Sequence, residues 1–171
     1  MRQALLVFAL IAVFSVAGCK ELGMFETLGQ HQVDSEMESF VRQAVAKSGA
    51  ELKELDDDDP SVFAWDDVPL DQLPDHERAA KEYQRAKWFS AHLIVDGGEW
   101  HVSYRRFNDA WMLDNVSTAL INPKTEILYA SQGDGHFSNV EAHPVFKHFI
   151  PPQHDKAKRA HDVIRRRMFS R

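Results

Sequence analysis

The spacing of apolar residues changes period twice along this chain, from helical to alternating and back. Met37, Phe40, Val41, Ala44 and Val45 recur at helical spacing behind Ser35 and Glu38, which together have the form of a capping box, and predict a helix over about 36–55. Gly49 interrupts that run and either ends the helix near Ser48 or weakens it. Aspartates 56–59 then meet Pro60, where a helix does not continue. Residues 60–74 read as a loop pinned by Phe63, Trp65, Val68 and Leu70. After Pro74, Asp75 and Glu77 suit a helix start, and Ala79, Ala80, Tyr83 and Ala86 follow at helical intervals.

In the centre Trp100, Val102 and Tyr104 alternate with His101, Ser103 and Arg105, the two-residue period of a half-buried antiparallel strand. Residues 88–95 either extend the second helix or form a strand leading into the Asp96-Gly97-Gly98 turn. Residues 111–121, rich in apolar and β-branched side chains, predict another strand, and the turn Asn122-Pro123-Lys124-Thr125 leads into a further one over 126–131. Beyond a Gly133-Asp134-Gly135 loop, Pro144 and Pro151-Pro152 delimit a short segment, 145–150. A last helix is predicted over 154–169, with Ala157, Ala160, Ile164 and Met168 along one side. The expected architecture is α+β, with three or four antiparallel strands in a meander and two or three helices packed across one face.

Charge changes this picture more than composition does. Residues 51–75 hold ten acids against Lys53 alone, and residues 153–171 hold seven bases against Asp155 and Asp162. The chain is therefore a charge dipole in sequence, and the two segments have the signs to meet each other, a basic partner or an anionic surface. The aspartate run itself reads first as a solvated linker, because adjacent carboxylates point in alternating directions and repel one another. Cys19 is the only cysteine, so there is no internal disulfide and, if Cys19 is acylated, no thiol for catalysis or metal binding.

Candidate chemistry is sparse. His136 and His143, near Asp134 and Glu141, are the weak candidates for a metal site; their spacing matches no specific motif, and hydrogen-bonded or exposed histidines are the simpler reading. Trp100, Tyr104 and Arg105, with Arg106 next in sequence, are the candidates for ligand binding through stacking and cation pairing. There is no Gly-x-Ser-x-Gly elbow, no His-Glu-x-x-His helix and no Gly-rich phosphate loop, and no catalytic residue is assigned. No cofactor is implied. The basic end has the electrostatics for nucleic acid but no matching motif, so nucleic acid is not an expected partner.

After Arg2, residues 4–18 are apolar or small and close in Val16-Ala17-Gly18 immediately before Cys19. This resembles the signal sequence and lipobox of bacterial lipoproteins, over the first 20 residues only. The resemblance implies cleavage before Cys19, lipid on that cysteine and residence on a membrane. In an envelope with two membranes, Lys20 in place of an aspartate implies the outer one. The run is shorter than the roughly 20 apolar residues a helix needs to cross hydrocarbon, which argues against a permanent span. The expected layout is a signal peptide (1–18), a lipidated tether (19–34), a single α+β domain (35–152) and a basic helical segment (153–171).

Compartment and elimination together point to a lipid-anchored envelope protein whose soluble domain binds another envelope protein, an envelope polymer or an apolar ligand. An envelope hydrolase and a structural tether subunit are the other classes open to it. Cys19→Ser is expected to abolish acylation and membrane retention, measured by mass spectrometry of the mature chain and by fractionation; unchanged retention overturns the anchor.

Overall fold

A computed structural model describes residues 34–58, 69–118 and 126–170. Cys19 and its tether, the Pro60 loop as far as residue 68 and the Asn122–Thr125 turn lie outside the described residues. The helices are α1 (Ser35–Ser48), α2 (Asp75–Gln84), α3 (Phe137–Ala142) and α4 (His154–Phe169), with 3-10 turns at Leu70–Gln72 and Phe146–Phe149. The strands are β1 (Glu51–Asp58), β2 (Trp88–Val95), β3 (Gly98–Phe107), β4 (Ala110–Thr118) and β5 (Ile127–Ala130), paired antiparallel in the order β1-β2-β3-β4-β5. Among the described residues, none of these helices is long and apolar enough to cross a membrane.

The class is α+β, but the sheet has five strands rather than three or four, and the described residues hold four helices rather than two or three. The extra strand is β1. Gly49, at φ 73°, stops α1 at Ser48, and its N–H closes onto the Val45 carbonyl. The expected continuation to Leu55 fails for a second reason: a bulge at Lys53 shifts the β1 register. Leu52 and Leu55 consequently both face the core, opposite Leu93 and Ala91, while standing three residues apart, which imitates helical spacing. Asp56, Asp57 and Asp58 belong to this strand and not to a linker. The extra helix, α3, has only six residues, too few to show a period.

Capping also departs from expectation by one residue. Asp34, not Ser35, caps α1, its carboxylate accepting from the N–H groups of Glu36 and Met37 at 3.1 Å each, while Glu38 pairs with Arg42. The Asp34 N–H in turn donates to the buried Asp57 carboxylate at 2.8 Å, fixing the start of α1 to the end of β1.

Helices cover both faces of the sheet, not one. Met37, Val41 and Ala44 of α1 pack with Phe89, Leu93, Val102, Tyr104, Leu113 and Val116, and Phe146 and Phe149 close that core. On the other face Phe107, Ala110 and Met112 are apolar only at one end of β3 and β4. That end is roofed by Tyr83 and Ala86 from α2 and the segment after it, and by Ala157, Ala160 and Ile164 of α4. The basic end is thus part of the fold. Arg167 forks onto Asp75 and Glu82, at 2.8 and 2.9 Å, and its hydrogen bonds hold the Asp75 carboxyl below its ordinary pKa.

Two histidines of α4 are buried. His154 accepts the Leu113 N–H on Nδ1 at 3.1 Å and stacks on Phe137 with ring centroids 4.3 Å apart; His161 lies against Tyr83 and Phe107. Burial lowers the pKa of both, so they are neutral in the fold while the unfolded chain protonates below about pH 6.5. Their stabilising contribution is complete above that pH and lost as pH falls. Urea unfolding at pH 5.5 is expected to give a stability about 1–2 kcal/mol below that at pH 7.5, and His161→Asn should remove part of the difference. A flat profile would mean that the imidazoles take up protons alike in the folded and unfolded chain.

Candidate functional site

Three stretches far apart in sequence meet around a groove of about 320 Å³, within the range of small-ligand sites. Helix α1 supplies Glu36, Ser39, Phe40 and Gln43. The β3–β4 hairpin supplies Asp109, Ala110 and Trp111, and the entry to α4 supplies Pro151, Pro152 and Gln153. The hairpin turns on Asn108 and Asp109, both at positive φ (49° and 55°), the conformation of a tight two-residue turn matched to strand twist. Phe40, Trp111 and the prolines give apolar contact. The polar lining combines two carboxylates, two carboxamides and a hydroxyl, a set able to donate and accept hydrogen bonds in several directions.

Trp111 is the unusual member. Its ring is 5% exposed and packs edge-on against Phe89, yet its indole N–H is buried without an acceptor among the described residues. An orphaned donor of this kind costs about 1–3 kcal/mol and is rare in folded proteins. Arg106 sits over the same ring, its guanidinium carbon 6.0 Å from the centroid, and reaches Asp34 at 3.9 Å and Asp109 at 3.6 Å. It thereby ties the start of α1 to the hairpin that forms the groove's other wall.

The sequence candidates divide between the two faces of the sheet. Tyr104 is fully buried in the α1-side core, against Phe40 and Phe89, and burial pushes its hydroxyl well above the ordinary pKa of tyrosine. Trp100, half-buried, packs on Phe146 at 4.8 Å. Arg105 points the other way, donating to Asp114 at 3.0 Å and lying 4.9 Å over the Tyr83 ring. Strand alternation separates these three residues and does not bring them to one ligand. Asp114 also accepts a short hydrogen bond from the Ser131 hydroxyl, and Arg165 reaches the Ser131 carbonyl, so Arg105 is one member of a polar clasp between sheet and helix.

His136 and His143 do not form a pair. His143 Nδ1 accepts from the N–H groups of Val145 and Phe146, capping the 3-10 turn, while His136 is exposed before α3. Among the described residues, no three His, Cys, Asp or Glu side chains are grouped closely enough to enclose a metal ion. Of the groove's lining, Met37, Phe40, Pro151 and Pro152 carry a sequence signal, but only as helix-face and helix-breaking positions. The Asn108-Asp109 dipeptide signals a hairpin and says nothing of what packs beside it.

Comparison with protein-family models, with curated proteins and with solved structures finds no match.

Trp111→Phe keeps an aromatic ring and removes the orphaned donor but leaves a small gap. It is expected to cost less than about 2 kcal/mol, whereas Trp111→Ala should cost about 3–5 kcal/mol in urea unfolding. A phenylalanine variant as unstable as the alanine one would show that the full indole is needed at this position.

Proposed function

We propose that this chain is a lipid-anchored protein of the bacterial envelope, held at the periplasmic face of the outer membrane. Its α+β domain binds an envelope polymer bearing hydroxyl and amide groups in the groove between α1 and the β3–β4 hairpin. The observation that carries this reading is the lining of the groove, where the apolar surface of Phe40, Trp111, Pro151 and Pro152 stands beside two carboxylates, two carboxamides and a hydroxyl. A polymer rich in carbonyl, amide and hydroxyl groups pairs with those polar side chains and meets the apolar lining with the faces of its rings. The anchor adds to affinity without adding contacts: confined near the envelope surface, even a weak groove sees a high effective concentration of polymer.

The test is co-sedimentation of the full chain with purified cell-wall sacculi. The wild-type chain is expected to pellet with them. Ser39→Trp, which fills the groove from an exposed helix position, is expected to weaken binding by about tenfold, the 1.4 kcal/mol typical of one lost contact region. Binding that survives Ser39→Trp unchanged removes the groove from the proposal, and no binding at all removes the polymer.

A further inference from the structure

The sheet face opposite the groove carries a row of polar side chains fixed by register. Glu54 of β1 stands beside His92 of β2, His92 stands beside His101 of β3, and in the next row Asp56 stands beside Ser90 and Ser103. This row lies away from Phe107 and Met112, the apolar end that α2 and α4 roof. The His92 and His101 rings are 5.0 Å apart between centroids at an interplanar angle of 61°, and Trp88 lies 6.1 Å from His101.

We propose that His92 and His101 chelate a first-row divalent cation of imidazole preference, with Cu(II) the strongest binder. The separation fits that task. A metal–nitrogen bond of about 2.0–2.1 Å places a ring centroid about 3.2 Å from the ion, so two ligating imidazoles lie about 5.2 Å apart at a tetrahedral angle and about 4.5 Å apart at a square-planar one. The observed 5.0 Å lies between the two.

Both rings are also uncommitted. His143 caps a turn, His154 accepts from Leu113 and His161 meets Asp162, whereas His92 and His101 have no hydrogen-bond partner among the described residues. Antiparallel strands set their Cα positions opposite each other, so little side-chain ordering is left for the metal to impose. Glu54 and Asp56 add negative charge beside the pair. With two imidazoles supplied by the sheet, the remaining positions fall to solvent or an exogenous ligand, the open arrangement of an ion that is carried or sensed.

The probe is Cu(II) presented as its iminodiacetate complex, which leaves adjacent positions for two imidazoles and discriminates against lone surface histidines. Titrated into the full chain at pH 7.5, it is expected to bind at one equivalent, quench tryptophan fluorescence through Trp88 and give an electron paramagnetic resonance spectrum with two protein nitrogens. His92→Gln and His101→Gln should each weaken binding at least about tenfold and leave a single protein nitrogen, while His136→Gln changes neither. Thermal melts of the variants in the absence of metal separate loss of a ligand from loss of the fold. No saturable binding, equal binding by the folded His92→Gln and His101→Gln variants, or a loss confined to His136→Gln would each overturn the site. Sacculus binding reads the groove on the other face, so either proposal can fail without the other.

Discussion

The backbone N–H of Leu113 leaves the β3–β4 ladder at a bulge and is taken up by the imidazole of His154, and much of the domain is arranged around that transfer. The bulge inserts Asp114 between Leu113, which pairs with Tyr104, and Asn115, which pairs with Ser103. The extra residue reverses the alternation, so that Leu113 and Val116 both reach the α1-side core although they are three positions apart. It also frees the Asp114 carboxylate to hold Arg105 and Ser131, anchoring the turn after β5. Because His154 is the first residue of α4, the same irregularity sets where that helix begins and hence which of its residues meet Phe107 and Met112.

Where a strand keeps strict alternation, its place in the fold can be read directly: β3 is marked by Trp100, Val102 and Tyr104, and these residues do lie on the core side. Helices α2 and α4 are legible from Asp75 and Glu77 at one start and from Ala157, Ala160 and Ile164 along one side. The bulged strands are not. In β1, Lys53 separates Leu52 from Leu55 by a helical interval, and the five consecutive residues from Glu54 to Asp58 include only one apolar side chain, so nothing local announces a strand. Its pairing is decided by β2, more than thirty residues later.

The functional surfaces illustrate the same limit. Arg105 was visible as a charged residue beside aromatics, but neighbouring strand residues face opposite ways, and its real companions, Asp114, Tyr83 and Ser131, come from three other segments. The groove is assembled from α1, a hairpin and a proline pair that have no sequence relation to one another. His92 and His101 are nine positions apart, an interval that means nothing until the Asp96-Gly97 turn folds β2 back on β3 and sets them side by side. The two proposed sites lie on opposite faces of one sheet, since β2, β3 and β4 present alternate residues to each.

For a chain anchored as proposed, the acidity of β1 has a further consequence. A sheet ends in two edges, and an exposed edge is a template on which another copy can add its own strand. Here β1 forms one edge and carries the exposed Glu51, Glu54 and Asp56, while at the other edge β5 is only four residues long and Gly135 pairs back onto Tyr129, where a side chain in place of the glycine hydrogen would strike the Leu128 backbone. On the proposed anchor, molecules would diffuse in two dimensions at high local density and meet edge to edge more often than free ones. Like charge on the long edge and brevity on the short one oppose the growth of such encounters into sheets.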